Sequence, residues 1–293
     1  MSFQWSLDDR SIGEGFRRIA REQIEKAIAI AHDAAETPAS RVHEARRRAK
    51  KLRALLRLVR PDFGQYEREN AFVRDAARGL AAARDVKVAE ETLADLLRWA
   101  GREPPTPRPA EEDAGEQDGL ATFGAQMNEL LARTEKWKTG KIDLDTLAEG
   151  LTDTYRRGLE AMELVGDRPS DAAFHEWRKH AKYHWNQLGL LEAAAQHILP
   201  AAHKAVGELA DLLGKHHDLA VLIGMIRGDA VQFANIDRDF VLDAAGRRQA
   251  GLETEIGALG RQVYAETPKA LHARFRSYLG GWRAQESSKV AAE

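Results

Sequence analysis

Residues 42–53 read VHEARRRAKKLR and residues 174–185 read FHEWRKHAKYHW. At an offset of 132, His43 meets His175, Glu44 meets Glu176, Arg46 meets Arg178 and Lys50 meets Lys182. Ala49/Ala181 and Leu56/Leu188 match as well. Downstream, LAAARDV (80–86) lines up with LGKHHDL (213–219) at an offset of 133, setting Arg84-Asp85 against His217-Asp218. Upstream, Phe16-Arg17-Arg18 resembles Tyr155-Arg156-Arg157. Three blocks in the same order predict an internal duplication. The stretches between Gly and Pro are rich in Ala, Leu, Arg and Glu, with apolar residues at i, i+3, i+4, a helical period. No convincing alternating strand is found. The expected fold is all-α. A duplicated helical unit of about 90 residues makes a four-helix bundle. Two such bundles, related by pseudo-two-fold symmetry, are therefore expected.

The clearest break is 101–119, GREPPTPRPAEEDAGEQDG, with four prolines and six acidic residues. It reads as a linker. The division expected is an N-terminal bundle over 1–100 and a C-terminal bundle over 120–293. The second half has surplus helices, one near 119–137 and a tail from 236.

On a helical wheel of about 100° per residue, with His43 at 0°, Lys50, Arg57, Arg46 and Arg53 fall between about 280° and 340°. Ala45, Ala49, Leu52, Leu55, Leu56 and Val59 occupy roughly 120–240°. The helix has a packing face and a separate cationic face. The second copy repeats this: His175, Lys182 and Arg178 share the cationic arc, while Trp177, Ala181 and Leu188 cluster near about 200–240°. Most charged runs are solvated faces. Here residues 41–60 hold nine Lys/Arg against one Glu, so i,i+4 pairs cannot neutralise them. Aligned cations in excess favour an anion. Arg supplies forks for phosphate oxygens and Lys supplies point charge. An anion beside His43 or His175 would raise the imidazole pKa and recruit it as a donor.

Composition limits the alternatives. The 293 residues carry Lys+Arg 44 against Asp+Glu 46, a formal charge of −2. That excludes an all-over basic coat for nucleic acid, though not a local basic site. Cysteine is absent, which excludes a disulfide scaffold, a thiol nucleophile and a cysteine zinc site. No apolar run of about 18 residues exists, so no transmembrane helix is expected. MSFQWSLDDR does not read as a secretory signal, and a cytoplasmic location is expected.

VHEARRRAKKLRALLRLVRP, FHEWRKHAKYHWNQL and LADLLGKHHDLAVL resemble the CHAD family, the conserved histidine α-helical domain. The resemblance runs from about Ser6 to Trp282 and has no E-x-E-x-K signature of a preceding triphosphatase-type domain, so a standalone member is expected. It implies two four-helix bundles around a basic groove or pore, and binding of inorganic polyphosphate. In some members it implies association with polyphosphate granules. Carried over, the binding positions are His43, Arg46, Lys50 and Arg53 in the first copy and His175, Arg178, Lys179 and Lys182 in the second. Arg84 and His217 match the later block. Arg57 joins them from the wheel. One departure is Trp185, which stands where the first copy has Arg53. Either the second half grips phosphate less, or Trp185 serves packing.

Other chemistry finds less support. His180 and His184 are i, i+4, but HEWRKH is not the H-E-x-x-H zinc motif, and its Arg and Lys would repel a cation. No metal or other cofactor is expected. Asp85 and Asp218 read as orienting neighbouring cations or capping a helix. There is no G-x-x-x-x-G-K-[ST] loop and no catalytic order of Ser, His and Asp. A phosphohistidine at His43 or His175 is chemically feasible, yet the motifs offer mainly cations. The protein is therefore expected to bind rather than catalyse. Its rivals are a polyphosphate or triphosphate hydrolase and an RNA or DNA binder. Residues 41–60 contain no aromatic, which favours a bare phosphate chain over nucleobases. The six Trp are expected in the core. YAETPKALHARFRSYLGGW (264–282) reads as a terminal helix that adds Lys269, Arg274 and Arg276 to the basic site.

Overall fold

The computed structural model describes residues 3–80, 84–105, 114–228, 233 and 236–290; of 84–86, 114–116 and 286–290 it describes the backbone only. Among the described residues there are ten α-helices and no strand: α1 (Ile12–His32), α2 (Pro38–Leu58), α3 (Tyr66–Arg78), α4 (Arg84–Trp99), α5 (Ala114–Thr134), α6 (Leu144–Asp167), α7 (Asp171–Leu191), α8 (Leu199–Arg227), α9 (Arg238–Val263) and α10 (Pro268–Val290). A 3₁₀ turn, Glu192–Ala195, follows α7. The all-α expectation is met. Among the described residues no helix is long and apolar enough to cross a membrane.

Helix starts carry the local chemistry that stops unpaired N–H groups from being stranded. Ser11 accepts from Glu14 N at the start of α1. Thr37 caps α2, with Pro38 in its first turn. Asp143 and Thr146 cap each other's backbone at the start of α6, a reciprocal capping box. Ser170 caps α7.

The apolar stripe of α2 is inside: Val42, Ala45, Ala49, Leu52, Leu55 and Leu56 are buried. This helix packs on α1, α3, α5, α6 and α7. Around it, α1 meets α5, α6 meets α7 and α10, α7 meets α8, and α8 meets α9. The contacts do not divide at 101–119. Helix α5 begins inside that stretch, at Ala114, and packs back on α1, α2 and α3. Helix α4, before the stretch, packs on α8 and α9. Packing contacts thus cross the expected boundary between 1–100 and 120–293. The reason is energetic: the apolar faces of α4 and α5 are covered by whichever helices bury them, and chain order does not decide this.

The aromatic residues of the upstream blocks are core anchors. Phe16 lies 5.1 Å from Phe63 and 5.3 Å from Trp137, ring centre to ring centre. Tyr155 lies 5.0 Å from Tyr264 and 5.5 Å from His184. Tyr155 also donates to Glu266 O at 2.9 Å. Of the tryptophans, Trp5, Trp137, Trp177 and Trp282 are buried, whereas Trp99 is exposed.

The close approach of α6 to α2 rests on a glycine. A Cβ at Gly150 would stand 1.9 Å from Leu58 O, where no side chain fits. Gly150→Ala should therefore force the two backbones apart and destabilise the fold by about 1–3 kcal/mol. A urea midpoint lowered to match, at unchanged slope, is the expected result. An unshifted midpoint would mean that α2 and α6 are free to separate.

Candidate anion-binding face

Burying one side of α2 leaves the opposite arc to the cations. His43 and Lys50 are exposed, and Arg46, Arg53 and Arg57 are half-buried. Arg46 Nη1 donates to Leu80 O, just past α3, at 3.4 Å. Arg53 Nε donates to Asn70 Oδ1 of α3 at 3.1 Å. The Arg53 and Arg57 guanidiniums lie 5.7 and 4.3 Å from the ring centre of Tyr183 on α7. Such contacts favour a cation over the electron-rich ring face. Burial, with the nearby charges of Arg57 and Arg74, pulls Arg53 below the usual arginine range, where it stays protonated. Among the described residues no carboxylate pairs with Arg57, and its buried Nε donates to nothing. Helices α2 and α7 are also joined by Gln187 Nε2, which donates to Ala54 O at 3.3 Å.

On α7 and α8 the second group assembles. His175 Nδ1 lies 3.3 Å from His217 Nδ1, with ring centres 4.6 Å apart. At that distance one imidazole donates and the other accepts, so the two are not both protonated. Burial, then Arg178, His175 and His216, push His217 down to about 4. Burial, then Arg178 and Lys179, lower His175 too. Arg178 runs over Gly214 of α8: a Cβ there would be 3.7 Å from its Nε. His175, Arg178 and His217 therefore form one cluster.

Two expected cations are already paired. Lys179 Nζ binds Glu176 Oε2 at 2.6 Å, and Lys182 Nζ binds Asp211 Oδ1 at 2.8 Å. Pairs this exposed are worth at most about 1 kcal/mol, so a polyanion can replace their carboxylates. Trp185 is half-buried and stacks on His203 at 5.5 Å, above Gly207; of its two expected roles, packing is the one found. His180 meets Glu176 Oε1 at 3.2 Å, whereas His184 is buried against Tyr155. They do not converge, and among the described residues no group of three or more metal-binding side chains forms. The side chains of Arg84 and Asp85 lie outside the described residues. The α10 cations sit elsewhere than expected: Arg274 binds Glu266, and Arg276 Nε binds Asp145 Oδ1 at 2.6 Å. They are held there because α10 packs on α6.

The sequence reading missed Tyr183. On the wheel it falls at about 80° from His175, off both the apolar and the cationic arcs. A large aromatic in that position signals a second packing surface, and α2 provides it. It also missed a second basic group, on the α1 side of α2. There Lys51 is lowered by burial, then by Arg48, Arg47 and Lys26.

A family description of the CHAD domain matches residues 18–227, and the chain belongs to that family. The match runs from α1 to the end of α8 and includes every cationic position named above on α2, α7 and α8; α9 and α10 fall outside it. No match is found among curated proteins.

The imidazole pair makes a sign-definite prediction. His217 titrates near 4 when the face is empty, and a bound anion favours the charged form and raises that value. Affinity for an anionic chain should therefore rise as pH falls from 7 towards 5, with net proton uptake on binding. Calorimetry in two buffers of different ionisation enthalpy reads the uptake. His217→Asn should reduce it; the same uptake in that variant would show that the proton goes elsewhere.

Proposed function

We propose that this protein binds inorganic polyphosphate along the cationic face of α2 and its continuation on α7 and α8. It acts as a binding or granule-targeting module, not as an enzyme. The observation that carries the reading is the crossing at Tyr183. There Arg53 and Arg57 of α2 meet α7, the helix that also carries His175 and Arg178. Membership of the CHAD family supports the same ligand.

Two features favour a phosphate chain over nucleic acid. Tyr183 is buried under its arginines, so its ring is no platform for a base. The described cations are guanidinium and ammonium groups suited to phosphate oxygens. The reading as a binder rests on the same chemistry: cations and neutral imidazoles hold a phosphate chain, whereas hydrolysis also needs a placed base or metal.

Polyphosphate of defined length should bind with a steep salt dependence. With at least three phosphates neutralised, log affinity should fall by about 2 or more per log unit of salt. Arg46→Gln, Lys50→Gln and Arg57→Gln together should weaken binding by about 100-fold or more, since each charged hydrogen bond is worth about 1.5–3 kcal/mol. Circular dichroism should stay unchanged. Unaltered affinity in a folded triple variant, or affinity indifferent to salt, would remove the assignment. Phosphate release from polyphosphate with Mg²⁺ or Mn²⁺ would establish the hydrolase instead.

A further inference from the structure

Arg41 differs from every other cation of α2. On the wheel it falls at about 160° from His43, within the apolar stripe. It is accordingly buried, 6 % exposed. A guanidinium cannot shed its proton in a protein, so the charge is carried inside. Burying a charge is costly unless an opposite charge answers it. Among the described residues none does. Nη1 donates to Ala31 O at 3.3 Å and Nη2 to the side-chain oxygen of Gln117 on α5. Both acceptors are neutral, and the buried Nε donates to nothing.

Beside this group lies a cavity of about 470 Å³, open to solvent. Its walls are the α1–α2 turn, Arg41 itself, and Gln117 and Ala121 of α5. Thr37 and Pro38, at the N-terminus of the long helix α2, are part of the wall. That end carries the positive pole of the helix and suits an oxyanion. His32 lies on the rim as a further donor, and Glu36 is the carboxylate there. The cavity, the helix end and a buried guanidinium with no counter-charge among the described residues all ask for an anion.

We propose that this cavity is a second anion site, distinct from the α2–α7 face, which binds the phosphate group of a small molecule through Arg41. It is independent of the polyphosphate reading. Pyrophosphate is the probe, titrated against the thermal unfolding of the full chain. The background is the variant with Arg46→Gln, Lys50→Gln and Arg57→Gln, so that the other face does not respond. A saturable rise in Tm is expected to persist there. Adding Arg41→Met should raise the half-saturating concentration by at least about tenfold. Ala121→Glu, on an exposed part of the wall, should do the same with Arg41 untouched, and it decides the matter if Arg41→Met does not fold. No rise in Tm in the background variant would overturn the proposal. So would titrations left unchanged by Ala121→Glu and by a folded Arg41→Met. An equal response to citrate, lost with the same variants, would assign the site to carboxylates and overturn the phosphate class.

Discussion

Arg53 and Arg57 share the ring of Tyr183, and most of what is distinctive in this molecule depends on that contact. Helix α2 has two obligations that conflict. It packs against five helices, which requires apolar surface, and it carries eight of the nine Lys/Arg of residues 41–60. Two like charges 4 Å apart repel by about 4 kcal/mol at an effective dielectric of 20. Carboxylates answer only part of this. Glu44 binds Arg47 at 2.7 Å and lies 3.9 Å from Arg48. Laying two guanidiniums on an aromatic ring keeps them at the α2–α7 crossing with no carboxylate to cancel them.

The same economy explains the histidines. Burial, and then Arg178, disfavours a charged imidazole, so His175 and His217 are held neutral and bonded to each other. A neutral imidazole already donates one N–H, and nearby negative charge would favour a second.

The fold class was legible because periodicity reports burial directly. The α2 stripe was read from spacing, and its residues are buried. His175, Arg178 and His217 were legible singly, as matched positions of the repeated blocks. Three features were not. The exchange of partners by α4 and α5 depends on which faces meet in space, which no local pattern encodes. Tyr183 falls between the two arcs of its own helix and gains meaning only from α2. The pairing of Lys182 with Asp211 crosses from α7 to α8, whereas charge counting within one helix sees only i,i+3 and i,i+4 partners. Arg41 shows the converse. Its place in the apolar stripe was visible in the sequence, but a count of cations treats it like its neighbours.

The central claim is that α2 and α7 present one face to one chain. Calorimetric titration of long polyphosphate into Arg57→Gln, Arg178→Gln and the double variant tests it most directly. If the face is shared, each single change weakens the same binding event at unchanged stoichiometry. The two losses are then not additive in free energy, because contacts along one chain act intramolecularly. Two binding events of separate stoichiometry, each abolished by only its own substitution, would contradict the account.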